Sequence, residues 1–234
     1  MTGGAGRRTR FLASVRSAEE ALVALSSGAD IIDAKEPSRG ALGAVAPEEI
    51  SAIVRTVNGA APVSATIGDC DCGEAPERVR ATAGLGVDYV KLGLFDRPAP
   101  ETLAELETCS ANGTRLIAVM FADRTPDIAL IRPLAEAGFA GVMLDTAEKG
   151  RGLQAHIGGR ALAGFLAEVA RHGLMAGLAG SLREADAIDL LPLRPDVLGF
   201  RGALCAGGAR ADRLNGQRVA AMRRLIHEQI APVA

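Results

Sequence analysis

Short apolar runs alternate with stretches of helical spacing along the whole chain. Eight of the runs read as strands: RFLASV (10–15), ADIIDAK (29–35), PVSATIG (62–68), VDYVKLGL (87–94), TRLIAVMF (114–121), AGVMLDTA (140–147), LMAGLAGS (174–181) and PDVLGFRG (195–202). The segments between and after them, SAEEALVALSSG, PEEISAIVRTV, PERVRATAGLG, PETLAELETCSANG, PDIALIRPLAEAG, ALAGFLAEVARHG, LREADAIDLLPL and GQRVAAMRRLIHEQI, predict amphipathic helices. Punctuation agrees: helices open on Ser17, Pro47, Pro76, Pro100 or Pro126 and close on Gly28, Gly86, Gly113, Gly138 or Gly173. Eight βα units in 234 residues predict an α/β fold, a single (β/α)8 TIM barrel rather than an open doubly wound sheet. No linker or break in composition divides the chain. The expected layout is a flexible N-terminal extension over 1–9 and one catalytic barrel domain over 10–234.

Composition narrows the function classes. The net charge is −2 and the basic residues are scattered, which argues against a nucleic-acid surface or a polybasic membrane patch. The opening MTGGAGRRTR lacks a signal-peptide core and no stretch reaches the length of a membrane span, so a cytoplasmic protein is expected. Cys70, Cys72, Cys109 and Cys205 lack CxxC spacing or a nearby histidine framework, so neither zinc nor another metal is expected. Cys70 and Cys72, just after the third strand, read as loop residues. Of the histidines, His172 closes a helix and His227 lies on the last one; only His156 falls on the side where chemistry is expected. No GxGxxG follows the first strand, which counts against a dinucleotide site.

The distribution of lysine is the strongest chemical signal. Of 26 basic residues only Lys35, Lys91 and Lys149 are lysine, and each lies at the end of an apolar, strand-like run: ADIIDAK, VDYVKLG and GVMLDTAEK. Arginine stays protonated in proteins, whereas a lysine amine can be made neutral and nucleophilic. In a barrel the C-terminal strand ends form the active site, and the three lysines belong to strands 2, 4 and 6, whose side chains can converge on one pocket. Ammonium groups so close would repel, lowering at least one pKa and preparing a Schiff-base amine.

Carboxylates accompany the lysines. Asp33 lies two residues before Lys35 and shares its face of the strand, and Asp145 ends strand 6. Asp69 and Asp123 follow strands 3 and 5, and Asp33 and Asp145 are favoured over them for proton transfer. On the late strands, GLAGSL (177–182) and GFRGALC (199–205) place glycines where backbone N–H groups can reach a phosphate. The candidate grip is Gly180, Ser181, Gly202 and Ala203, with Ser181 leading a helix and Arg201 assisting. A side chain at Gly180 or Gly202 is expected to block the anion. A small phosphorylated carbonyl compound is the expected substrate.

SGADIIDAKEPSRGALGA, SATIGD, DYVKLGLF, VMLDTAEKG, GLAGSL and GFRGALC together resemble the (5-formylfuran-3-yl)methyl phosphate synthase family of methanofuran biosynthesis. The matching stretches cover nearly the whole barrel; the N-terminal extension and the CDCGEAPE loop depart from the shorter archaeal-type pattern. The resemblance implies condensation of two glyceraldehyde 3-phosphate molecules to a furan aldehyde phosphate, without metal or organic cofactor. It implies Lys35 as the Schiff-base amine and Asp33, Lys91, Asp145 and Lys149 as the other catalytic groups. The Arg- and Ala-rich composition suggests a high-GC bacterium, and the resemblance then implies that this owner makes a methanofuran-like C1 carrier for formaldehyde oxidation.

Other readings remain open on the residues alone. A class I aldolase has the same Schiff-base logic. A phosphate-binding decarboxylase barrel can carry Asp-x-Lys, but normally continues Lys-x-x-Asp, and here Ser38 stands at that position. A non-catalytic sugar-phosphate sensor would not need clustered lysines and carboxylates. The expected partner is a small-molecule triose phosphate, with no nucleic acid and no membrane; assembly is open between monomer and homo-oligomer.

Overall fold

The computed structural model describes residues 8–148 and 150–228. Eight parallel strands close into a barrel in chain order: β1 Arg10–Val15, β2 Ile31–Ala34, β3 Val63–Thr66, β4 Tyr89–Gly93, β5 Leu116–Phe121, β6 Gly141–Asp145, β7 Met175–Leu178 and β8 Val197–Phe200. Each is followed by a helix: α1 Ala18–Ser26, α2 Pro47–Val57, α3 Ala75–Ala83, α4 Pro100–Ala111, α5 Ile131–Glu136, α6 Gly159–Arg171, α7 Glu184–Leu190 and α8 Gly216–Glu228. The single α/β barrel expected from the sequence is the fold observed. Thr9, placed in the extension by the sequence, is buried and donates to the Pro195 carbonyl at 2.7 Å. Residues 1–7, 149 and 229–234 lie outside the described residues.

Local chemistry accounts for the element ends. Ser17 caps α1 by accepting from the Glu20 N–H, and proline occupies the first turn of α2, α3 and α4, where a missing N–H costs nothing. Gly28, Gly86, Gly113, Gly138 and Gly173 all take the positive φ of a helix-ending turn. The helix expected over 126–138 begins instead as a 3-10 turn, Ile128–Leu130, capped by the Asp127 carboxylate, and becomes α-helical only at Ile131.

Strand parity divides the core in two. Phe11, Ile32, Val63, Val90 and Leu144 face outward into the apolar layer beneath the helices. Residues of the opposite parity fill the barrel interior: Leu12, Ile31 and Val197 form one cluster, and Ile117, Val119, Phe121 and Met143 fill the β5 and β6 side. Toward the C-terminal ends of β7 and β8 the inward positions are Gly177, Ala179 and Gly199. A Cβ at Gly177 would lie 2.5 Å from Met143 Cγ, so that glycine is where the β6 methionine fits. Bulk on one side and glycine on the other leave the hollow of the barrel mouth against β7, β8 and β1.

Candidate active site

The interior parity that carries Ile31 inward also carries Asp33 and Lys35 inward, and β1, β3, β4 and β6 bring Ser14, Ser64, Lys91 and Asp145 to the same space. Register places Ser14 opposite Asp33, and Asp33 opposite Ser64. Asp33 is fully buried, yet both oxygens are engaged: Ser14 Oγ donates at 2.8 Å, Ser64 Oγ at 2.6 Å and Lys91 Nζ at 2.9 Å. Burial alone would raise the Asp33 pKa; the charges of Lys91 and Lys35, then the hydrogen bonds from Ser64 and Lys91, overcome it and hold the carboxyl below its usual range. Lys91 is the third residue of the five in β4, so it sits within the strand rather than at its end.

Lys35, the residue after β2, reaches across to Asp145, with Nζ 3.2 Å from Oδ2. Asp145 Oδ1 accepts from the Thr146 N–H at 2.7 Å. Asp33 and Lys35, which share one face of the same strand, each hold a partner from another strand: Asp33 holds Lys91, and Asp145 holds Lys35. Each described lysine meets a carboxylate inside the barrel. Lys149 lies outside the described residues.

The two carboxylates ranked lower do other work. Asp69 accepts from the N–H groups of Ala41 and Leu42 at 2.9 and 2.7 Å and shapes the loop after β2. Asp123 accepts from those of Ala147 and Glu148 at 2.9 and 2.7 Å and shapes the loop after β6. Lys35 is the first residue of the loop that Asp69 shapes.

On the late strands, the N–H groups of Gly180, Ser181, Gly202 and Ala203 find no protein acceptor among the described residues. Gly180 and Ser181 take successive positive φ values of 107° and 49°. Ser181 is not a glycine, and this sparsely populated conformation costs it on the order of 1 kcal/mol. It does not lead a helix directly, since α7 starts three residues later with Arg183 as N-cap. A Cβ at Gly180 would lie 3.0 Å from the Thr146 backbone nitrogen, and one at Gly202 would lie 3.2 Å from the Gly208 carbonyl oxygen. Side chains there would therefore displace neighbouring loops before blocking an anion.

Arg201 departs from the role expected of it. Its Nε donates to Arg210 O, Nη1 to Ser14 O and Glu20 Oε2, and Nη2 to Glu20 Oε1 and Asp212 O. All five N–H groups are spent on the protein, so none is left for a phosphate. Glu20 answers with low exposure and further bonds from the Arg16 and Leu214 N–H groups. Burial would raise the Glu20 pKa, but Arg201 and these backbone donors hold it below the ordinary value.

These groups share one cavity of about 480 Å³, within the range of small-molecule sites. Its floor holds Lys35, Lys91 and Asp145, and its wall holds Gly180, Ser181, Gly202 and Ala203. Asp33 lies behind, reached through Ser14 and Lys91. Cys70, Cys72 and His156 do not line it. His172 pairs with Glu168 and His227 with Asp30, at the far ends of helices. Sequence reasoning missed Ser14, Ser64 and Arg210. A hydroxyl at inward parity in RFLASV and PVSATIG was the available signal for the serines; Arg210 lies in a loop with no periodicity to place it.

Fold and rim together define a (β/α)8 barrel enzyme with two lysine–aspartate pairs at the mouth of its barrel. The family model described as 4-HFC-P synthase matches residues 11–223, and the chain belongs to that family, as its motifs led one to expect. A Methylorubrum extorquens protein, named provisionally as a (5-formylfuran-3-yl)methyl phosphate synthase, is 45% identical over 91% of this chain and 89% of its own length. The (5-formylfuran-3-yl)methyl phosphate synthase of Methanopyrus kandleri is 36% identical over 87% of this chain and 92% of its own. Among solved structures, 3-hexulose-6-phosphate synthase from Salmonella typhimurium superposes with a TM-score of 0.65 at 21% identity, covering 94% of this chain and 100% of that one. Thiamine phosphate pyrophosphorylase from Pyrococcus furiosus gives 0.66 at 13%, covering 97% and 98%. At those identities the likeness shows the fold alone. No helix among the described residues is long and apolar enough to cross a membrane.

Proposed function

We propose that the protein condenses two molecules of glyceraldehyde 3-phosphate into 4-(hydroxymethyl)-2-furancarboxaldehyde phosphate, releasing one phosphate and two waters, with Lys35 as the covalent amine. Two C3H7O6P molecules supply the atoms of C6H7O6P, H3PO4 and two H2O, so no oxidant or reductant enters. The observation that carries the reading is the Lys35–Asp145 pair in the cavity, backed by the sealed Lys91–Asp33 pair. The name of the relatives supplies the product.

Lys35 attacks the aldehyde of one triose, water leaves, and an imine forms. The imine acidifies carbon 2, a proton passes to a rim base, and the enamine expels the phosphate on carbon 3. The remaining conjugated unit is nucleophilic at carbon 3. The product bears its phosphorylated arm on a ring carbon, so the new bond joins carbon 2 of the second triose. That carbon becomes a ketone when a proton is shuttled between carbons 1 and 2. Ring closure and loss of two waters then give the aromatic ring, and hydrolysis of the imine consumes the water released when it formed, frees the aldehyde and restores the Lys35 amine, while the second phosphate stays on the product. Asp145 and Lys91 are the proton carriers within the cavity, and Lys149 stands with them on the family resemblance. The unspent N–H groups of Gly180, Ser181, Gly202 and Ala203 suit a phosphate that must be held through these steps.

Incubation with glyceraldehyde 3-phosphate should produce an ultraviolet-absorbing furan and free phosphate in equal amounts, and borohydride should trap substrate on the Lys35 peptide. Phosphate release without furan would assign the protein to simple elimination, and trapping on the Lys91 peptide instead would move the amine to β4.

A further inference from the structure

The hairpin after β8 carries an arginine that none of these steps uses. Cys205 and Leu214 pair antiparallel, and the Ala206 N–H donates to Arg213 O at 3.0 Å, closing a loop over the cavity. Arg201 bolts that loop down from inside through Arg210 O and Asp212 O, and Glu20 holds both Arg201 and the Leu214 N–H. The strap is therefore set by a guanidinium that has nothing left to give a ligand.

Arg210 is the opposite case. Its side chain lines the cavity, half-buried, and makes one hydrogen bond among the described residues, from Nη2 to Gly40 O on the loop after β2 at 2.8 Å. Four of its five N–H groups remain unspent. The nearby carboxylates have their own partners: Asp145 holds Lys35, Asp69 the Ala41 and Leu42 N–H groups, and Glu36 the Ser38 N–H and hydroxyl. Burial weighs against the Arg210 charge, opposed by the more distant fields of those three carboxylates. The contact with Gly40 holds the guanidinium against the loop after β2.

We propose that Arg210 is a second phosphoryl grip of the cavity, binding one phosphate monoester through its planar fork while the backbone N–H groups after β7 and β8 hold the other. This rests on the proposed reaction in one respect, that the substrates bring two phosphates into one site. A guanidinium matches two phosphate oxygens at once, and a strap closing over a reactive intermediate is a sound place to carry it.

Inorganic phosphate is the probe. Titration followed by calorimetry should show two phosphates bound per chain. Arg210→Gln should keep one and weaken the other about 10- to 100-fold, the usual worth of a charge-assisted bidentate contact, with Arg210→Lys in between. Melting without phosphate reads the lost Gly40 contact separately. Borohydride trapping on Lys35 should survive in both variants, while KM for glyceraldehyde 3-phosphate rises. Unchanged phosphate binding in Arg210→Gln, or one phosphate per chain in the unaltered protein, overturns the proposal. Failure to form furan alongside an Arg210-dependent second phosphate would overturn the reaction and leave this site standing.

Discussion

The barrel holds two lysine–aspartate pairs built from the same residue types and buried to different depths. Lys91 and Asp33 meet at 2.9 Å with side chains 5% and 0% exposed, and Asp33 is further clamped by two serines. Lys35 and Asp145 meet at 3.2 Å with 12% and 6% exposure, opening on the cavity. Depth makes the difference. A sealed pair whose carboxylate has no spare access is a fixed charge that positions an ammonium, while a pair at the cavity can part so that its amine meets a substrate. The two serines on Asp33 are what distinguish the pairs.

The largest effect should come from breaking the open pair. Lys35→Arg keeps the positive charge beside Asp145 but cannot form an imine, so borohydride trapping should vanish and furan formation should fall on the order of 10⁴-fold or more. Stability should change little by comparison. Lys91→Arg keeps charge in the deep pair, and a loss of about 10²- to 10⁴-fold is expected there, the range of lost acid–base catalysis. If Lys91→Arg turns over normally, the deep lysine contributes charge alone and the comparison sharpens to one working amine.

The deep pair should dominate stability. Asp33→Asn leaves the Lys91 ammonium buried without its carboxylate, which costs about 3–5 kcal/mol in comparable buried pairs. Adding Lys91→Met removes the stranded charge and should recover much of that loss, read as a denaturant midpoint with unchanged slope. If the double variant is no more stable than Asp33→Asn, the cost lies in the serine cage rather than in the unpaired charge.

Much of this was legible in the residues. Strand parity puts Asp33, Lys35, Lys91 and Asp145 inside the barrel, because all four share inward register with apolar residues such as Ile31 and Met143. Partner choice was not legible, since neighbours along one strand look closer on paper than residues across the lumen, yet the barrel's curvature brings β2 to β6. Arg201 was misread for a related reason. Its place in a glycine-rich loop after β8 matched a phosphate grip, but its true partners, Glu20 and the hairpin carbonyls, are far away in sequence or on an irregular loop. Arg210 depends on that hairpin's path, which no periodic pattern encodes.

The finest test of the comparison removes one hydroxyl from the deep pair. Ser64 Oγ lies 2.6 Å from Asp33 Oδ1, and a hydrogen bond to a buried charge contributes about 1.5–3 kcal/mol, so Ser64→Ala should cost that much at neutral pH. The pH dependence fixes the cause. Asp33 titrates below its usual 3.8 in the folded protein, so its contribution is present above that value and is lost as pH falls through the lower folded value. Without Ser64 the folded value moves back up toward 3.8, the contribution shrinks, and the gap between the two proteins should narrow as pH drops below about 4. Urea midpoints of both proteins at pH 7 and at the lowest pH where both stay folded measure that gap, with the other carboxylates cancelling between them. A gap that stays constant would mean Ser64 acts through packing alone. Lys35 trapping should be nearly unchanged throughout, because the hydroxyl supports the sealed pair and touches nothing in the open one.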